Sequence, residues 1–269
     1  MFSKVWNLAL LVILDGLRRN ALIGLLLLAL LLEAAGLFFF QFIPRDIGRA
    51  SADFILSVGW LTGFLFLFFH AVQVMAWDEE RRTIHTLLAR PISRGQYVLG
   101  VYLALALLLL ALNIILAGIG YGVLEMIKGA VKPVYFTHLS AGHYALAWLG
   151  LYFIELLLLA VILFFSGLVR GGFPVLLLSV SYYFICVGLP VVREAVQKGQ
   201  DVDVALARIL KAMTAIFPDF SRFDFKSLVT APLQQPLSHY VGSDFFLAAA
   251  YVAVVLTVTA IIYQKRDLQ

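Results

Sequence analysis

Residues 77–100 read WDEERRTIHTLLARPISRGQYVLG and stand between two long apolar runs. Asp78, Glu79, Glu80, Arg81, Arg82, His85, Arg90 and Arg94 put eight charged or His side chains into this stretch, so it belongs outside hydrocarbon. Asp78 is placed to cap an amphipathic helix of about three turns, with Ile84, Leu87 and Leu88 on one face and Arg82, Thr86 and Ala89 on the other. Pro91 stops that helix. Ser93 and Gln96 then have the S-x-x-Q spacing of a capping box, in which each side chain satisfies an orphan backbone N–H as the next helix starts. The stretch spells helix, corner, membrane helix.

Composition agrees with the flanks. Of the 269 residues, 62% are hydrophobic and 13% charged, with a mean hydropathy of +0.97, whereas a soluble domain carries about a quarter charged residues. The expected fold is therefore all-α and polytopic. Six spans are read at 21–43, 52–76, 97–124, 143–168, 173–190 and 244–263, each near the roughly 20 residues that cross a bilayer. Span one closes at Pro44, span three is longer than a bilayer requires, and span five is taken to end at Pro190. Only Val169, Arg170, Gly171 and Gly172 separate spans four and five, which makes them antiparallel neighbours. The chain reads as one transmembrane domain with no inverted repeat and little room for a soluble enzyme domain.

Two segments remain outside the spans besides 77–96. In residues 1–19, Lys4, Asn7, Asp15 and Arg18 form a polar stripe with Val5, Trp6, Leu10 and Ile13 off it, which suggests an interfacial helix before span one rather than a secretory signal. Residues 191–242 form one extended segment. In it, Leu206, Ile209, Leu210, Met213 and Phe217 mark one face of a helix over about 203–217. Phe217, Phe220, Phe223 and Phe225 follow, to pack the segment on span ends or to form a lid over a substrate path. Short of that segment, between spans three and four, an interfacial piece is expected around Val134–Phe136.

Lys and Arg set the orientation. Lys4, Arg18, Arg19, Arg81, Arg82, Arg90, Arg94, Arg170, Lys265 and Arg266 share one side, ten against Arg45, Arg49, Lys128 and Lys132 in the short loops of the other. Both termini and the 77–96 loop are thus expected to be cytoplasmic, and 191–242 to face outward.

Residues 77–100 resemble the cytoplasmic loop after the second span in permeases of the ABC type 2 exporter family. The matching positions are Glu79, Glu80, Thr83, Leu87, Leu88, Arg90, Pro91, Ser93, Arg94 and Tyr97, while Arg82 stands where many members have glycine. The resemblance implies an inner-membrane permease subunit whose coupling helix seats on a separate ATP-binding subunit. It implies two copies of that subunit, which hold ATP and magnesium, and a second permease copy or a related permease. The contact would use Glu79, Glu80, Arg81, Thr83, Ile84, Leu87, Leu88, Arg90 and Pro91. An N-terminal elbow helix over 1–19 also belongs to that family, and residues 217–224 are similar to a segment before its last span.

Catalytic chemistry is not evident. There is no G-x-x-x-x-G-K-[ST] phosphate loop, no H-E-x-x-H and no cysteine cluster, so no catalytic residue, metal ligand or cofactor is assigned to this chain. His138 and His143 lack a third ligand, and Cys186 is the one cysteine, which excludes an intramolecular disulfide. No basic cluster with interleaved aromatics points to nucleic acid; lipid is the expected surrounding. Glu33 and Glu155 lie mid-span, where a carboxyl is costly and marks a substrate path or a packed pair. The competing function is therefore a secondary transporter or membrane-embedded enzyme built on Glu33 and Glu155. Gly118 and Gly122, in small-xxx-small spacing, are expected to allow a close helix approach.

Overall fold

The computed structural model describes residues 2–18, 20–39, 46–75, 93–197, 217–230 and 242–265, with Arg208 and Ala212 besides. These residues are helical with no strand among them. Seven long helices follow in chain order: α1 Phe2–Arg18, α2 Asn20–Phe39, α3 Ile47–Met75, α4 Arg94–Ala130, α5 Ala141–Leu168, α6 Gly172–Gln197 and α7 Ser243–Lys265. Five of them, α3 to α7, are long and apolar enough to cross a membrane, consistent with a multi-pass membrane protein. A sixth crossing is reached if α1 and α2, bent by 59° at Arg18–Leu22, count as one broken span. The amphipathic helix expected over 203–217 lies outside the described residues, apart from Arg208, Ala212 and Phe217.

The chain order gives the bundle two ends. One end, here the loop end, carries Met75, Ser93, the α5–α6 turn and Lys265; the opposite end carries Asp46, the 131–140 connection and residues 217–230. Gly171, at φ +89°, makes the tight α5–α6 turn in a backbone conformation that a β-carbon disfavours. At the opposite end Pro133–Phe136 form a 3₁₀ turn with Phe136 buried, where the short interfacial piece was expected.

α4 and α5 are the centre of the bundle: α4 packs against α1, α2, α3, α5 and α7, and α5 also meets α3, α6 and α7. At 37 residues α4 is about 55 Å long, against about 30 Å of hydrocarbon, so it runs past the membrane core. α1 lies along its first turns. Leu8 meets Gly100 and Gly16 meets Leu108, so the two helices run in the same direction over two turns. Lys4, Asn7, Asp15 and Arg18 stay exposed, as does an apolar row of Trp6, Leu10, Leu14 and Leu17, giving α1 separate polar, apolar and packed faces.

Three boundaries differ clearly from the sequence reading: α4 runs on to Ala130, six residues past the expected end of span three at Leu124, and α6 and α3 differ as well. α6 passes through Pro190 and continues to Gln197, so residues 191–197 belong to a helix rather than to the extended segment. A proline removes one backbone N–H and clashes with the preceding turn, yet an apolar bundle helix tolerates it where neighbours re-satisfy the freed carbonyl. α3 begins at Ile47, five residues before the expected Ala52, and widens into a π turn over Phe66–Ala71. Such turns insert a residue into the i to i−4 pattern. Gly118 and Gly122 also differ from expectation: both are exposed, and a β-carbon at either would meet nothing among the described residues. The close approach lies elsewhere, at Gly59 and Gly63 of α3, which have the same four-residue spacing. A β-carbon at Gly59 would overlap the Trp148 ring, and one at Gly63 the Glu155 carboxyl, both on α5. With little hydrophobic drive between helices in lipid, such close packing is a main source of cohesion.

Candidate functional site

The expected partner contact, Glu79, Glu80, Arg81, Thr83, Ile84, Leu87, Leu88, Arg90 and Pro91, lies outside the described residues, as does the rest of the 76–92 loop. Its two attachment points are described. On one side the loop leaves α3 after Met75, which is buried together with Val74. On the other it enters α4 through Ser93. The Ser93 Oγ accepts from the Gln96 N–H at 3.3 Å, and Gln96 Oε1 accepts from the Ser93 N–H at 3.0 Å, completing the capping box read from the sequence.

The next residue ties α4 to the end of the chain. Arg94 Nη1 donates to the carbonyls of Tyr263, at 2.8 Å, and Gln264, at 3.2 Å. These belong to the last turn of α7, whose carbonyls have no intrahelical donor and carry the negative end of the helix dipole. Tyr97, one turn further along α4, is buried with its ring 6.3 Å from that of Tyr263. The Tyr263 hydroxyl lies 3.0 Å from Ser166 Oγ on α5, and its ring packs against Gly167. The base of α4 is thereby joined to both α5 and α7.

Midway along the bundle, Glu33 and Glu155 are both buried but do not meet as one site. Glu155 Oε2 accepts from Asn113 Nδ2 on α4 at 2.6 Å, and the same amide donates to the Leu109 carbonyl at 3.0 Å. Its other oxygen has no hydrogen-bond partner among the described residues and lies against Gly63. Glu33 on α2 is near Gly120 of α4, whose other neighbours are Ile55 and the Tyr144 hydroxyl; neither Glu33 oxygen has a hydrogen-bond partner among the described residues. Tyr144 donates instead to the Ala117 carbonyl at 3.0 Å. His70, on the π turn, is buried with its ring 5.1 Å from Phe66 and faces Gly16 of α1.

At the opposite end, residues 217–230 are seated on the helices. Phe220, Phe223, Phe225 and Val229 are buried. Phe223 stacks on Phe153 of α5 at 6.2 Å and 8° and meets Phe245 of α7 edge-on at 5.5 Å. The backbone comes so close to α5 that a β-carbon at Gly150 would overlap the Phe223 carbonyl. Asp219 holds the ends together: it accepts from the Ser221 N–H at 3.1 Å and pairs with Arg193 of α6, while Arg222 reaches Asp244 of α7 at 2.8 Å. Behind the segment, α3, α5 and α6 enclose a cavity of about 690 Å³.

Neither a protein-family model nor a curated protein matches this chain.

Among the described residues no group of three His, Cys, Asp or Glu side chains could hold a metal ion. The residues that sequence reasoning missed are Tyr263 and Ser166, which complete the Arg94 junction, and Asn113 as the partner of Glu155. For Arg94 a signal was present, since it sits one residue past a helix cap in a stretch already singled out. For Asn113 and Glu155 the only signal was two polar residues in apolar runs.

Proposed function

We propose that this chain is the permease subunit of an ATP-driven exporter of the ABC type 2 kind, multi-pass in the inner membrane with both termini cytoplasmic. The spans, α1–α2 included as elbow and first span, form the path with a second permease copy or a related permease. Two separate ATP-binding subunits, which carry ATP and magnesium, dock on the 77–96 loops. The resemblance of residues 77–97 carries this reading. The junction at Arg94 supports it, because a coupling element must pass its movement to the spans without slack. The loop enters α4 through a closed capping box, and α4 is fastened at once to the end of α7. A displacement of the loop would move α4 and α7 as one rigid piece, the kind of rigid-body transmission that drives alternating access. The Lys and Arg bias supports the cytoplasmic side for that junction.

The experiment is to extract the tagged chain from its native membrane and ask whether an ATP-binding protein follows. Native chain is expected to retain it, and Glu80→Arg with Leu87→Arg to lose it while remaining folded. If the native chain retains no ATPase under conditions that hold permease complexes together, the reading fails. The second reading, a secondary transporter or membrane enzyme, is favoured by one observation, the buried carboxyls of Glu33 and Glu155. It requires that substitution of either abolish activity with no ATPase present.

A further inference from the structure

We propose that the cavity behind residues 217–230 binds an amphiphile with one hydrocarbon chain and a zwitterionic head. Its volume of about 690 Å³ falls within the roughly 300–1,000 Å³ of pockets that take ligands of drug size, below what a bilayer phospholipid with two chains would fill. The walls are largely apolar: Leu56, Leu151 and Ile154 from α3 and α5, with Leu61 more exposed and the Trp60 and Tyr183 rings 5.9 Å apart. Such a lining offers a chain no polar partner and costs it none. The mouth differs. Asp224 and Lys226 line it, and the Arg49–Asp53 ion pair on the first turns of α3, at 3.8 Å, lies within electrostatic reach of both.

One anion and one cation on the same lining, Asp224 and Lys226, discriminate by charge pattern. A purely anionic head would meet Asp224, and a purely cationic one Lys226; only a head carrying both signs finds a partner for each. The hydroxyls on the lining are already used within the protein, Ser57 donating to the Asp53 carbonyl at 2.6 Å, Ser221 to Asp219 at 2.6 Å, and Tyr183 sharing a hydrogen bond with Trp60. Head selection therefore falls to the charged pair, Asp224 and Lys226. The mouth is at the end opposite the 76–92 loop, where an exported amphiphile would leave. That the ligand is cargo rests on the permease reading; its binding does not, and is measured without any ATPase.

The purified full chain, in detergent, is titrated with bromine-labelled lysophosphatidylcholine and with bromine-labelled lysophosphatidylglycerol. Trp60 fluorescence is taken as the difference between the native chain and Trp60→Phe. Saturable quenching by the zwitterionic lipid is expected, at a half-saturating concentration about tenfold below that of the anionic one, the order of one charge-assisted contact. Lys226→Met, which takes the phosphate's partner from both lipids, is expected to raise both half-saturating concentrations and to keep the zwitterionic preference. Asp224→Asn, which keeps the acceptor for the Lys226 N–H and so leaves the segment seated, is expected to favour the anionic lipid instead. Quenching that rises without saturation, or that is equal for both heads in every variant, overturns the proposal and makes the cavity a surface wetted by bulk lipid. Loss of the ATP-binding partner in the extraction experiment, with quenching intact, would overturn the permease reading alone.

Discussion

Arg94 caps the end of a helix to which it does not belong: its guanidinium reaches the Tyr263 carbonyl at 2.8 Å, across 169 residues of chain. Hydrogen bonds from a charged donor contribute about 1.5–3 kcal/mol, more than neutral ones. Arg94→Ala is expected to lower the thermal midpoint in detergent and to loosen α7. Arg94→Lys, a point charge without the planar fork, should recover only part of the loss. Tyr263→Phe removes the Ser166 contact but neither carbonyl, and should cost less than Arg94→Ala. In a reconstituted complex Arg94→Ala is expected to leave ATPase binding intact and reduce transport per ATP hydrolysed. Equal transport yield in Arg94→Ala and native protein would separate the junction from coupling.

The Glu155–Asn113 contact calls for a double-mutant cycle. Asn113→Leu strips the donor from Glu155 Oε2, leaving a buried polar atom unsatisfied at about 1–3 kcal/mol, and Glu155→Leu strands the amide similarly. Replacing both should cost less than the two single changes added, because the orphan group is removed with its partner. Thermal midpoints of the four proteins measure the coupling. Glu155→Gln keeps the shape and an acceptor, so it separates packing from chemistry. Full transport in Glu155→Gln is the outcome the permease reading expects, and complete loss with a native melt would favour the secondary-transporter reading.

Gly63→Ala should be destabilising by about 1–3 kcal/mol, the usual cost of overpacking, since its β-carbon would overlap the Glu155 carboxyl. Shortening the neighbour tests the mechanism. Gly63→Ala should cost less in a Glu155→Ala background than in the native chain, whereas Gly118→Ala and Gly122→Ala, where an added β-carbon meets nothing among the described residues, should leave the isolated subunit's melt unchanged or raise it slightly, as alanine is the better helix former. A Gly63→Ala protein as stable as the native would show that the Glu155 carboxyl swings aside, or α3 and α5 part, without cost.

Features that depend on neighbours in sequence were legible from the sequence. The Ser93–Gln96 box is one, because its geometry is contained within one helical turn. The apolar helices and the tight Arg170–Gly172 turn are others. What could not be read was which face of a helix meets another. Gly59 with Gly63 and Gly118 with Gly122 share a spacing, and only tertiary structure decides that the first pair is buried against α5. Asn113 and Glu155 are 42 residues apart on different helices, so neither sequence context announces the other. Pro190 misled for a related reason: its local cost is real, but the bundle absorbs it.

The Arg193–Asp219 pair yields an ordered series. Asp219 has two tasks, the charge that pairs with Arg193 and, at 3.8 Å, with Arg222, and the Oδ1 that accepts from the Ser221 N–H and hydroxyl. Arg193→Gln removes part of the first task only. Asp219→Asn removes the charge while keeping an acceptor, and Asp219→Ala removes both. The pair is largely shielded from solvent, with side-chain exposures of 23% and 14%, so its loss exceeds that of a surface ion pair, and the charge left behind adds to the cost. Limited proteolysis at 217–230, followed by mass spectrometry in membranes open on that side, should therefore run fastest in Asp219→Ala. Asp219→Asn, which loses both arginine partners, should be cleaved faster than Arg193→Gln, which leaves the Arg222 pair, and both faster than the native chain. Native-rate cleavage in Asp219→Ala would mean that Phe220, Phe223 and Phe225 alone hold the segment down, with the ion pair contributing nothing to its seat.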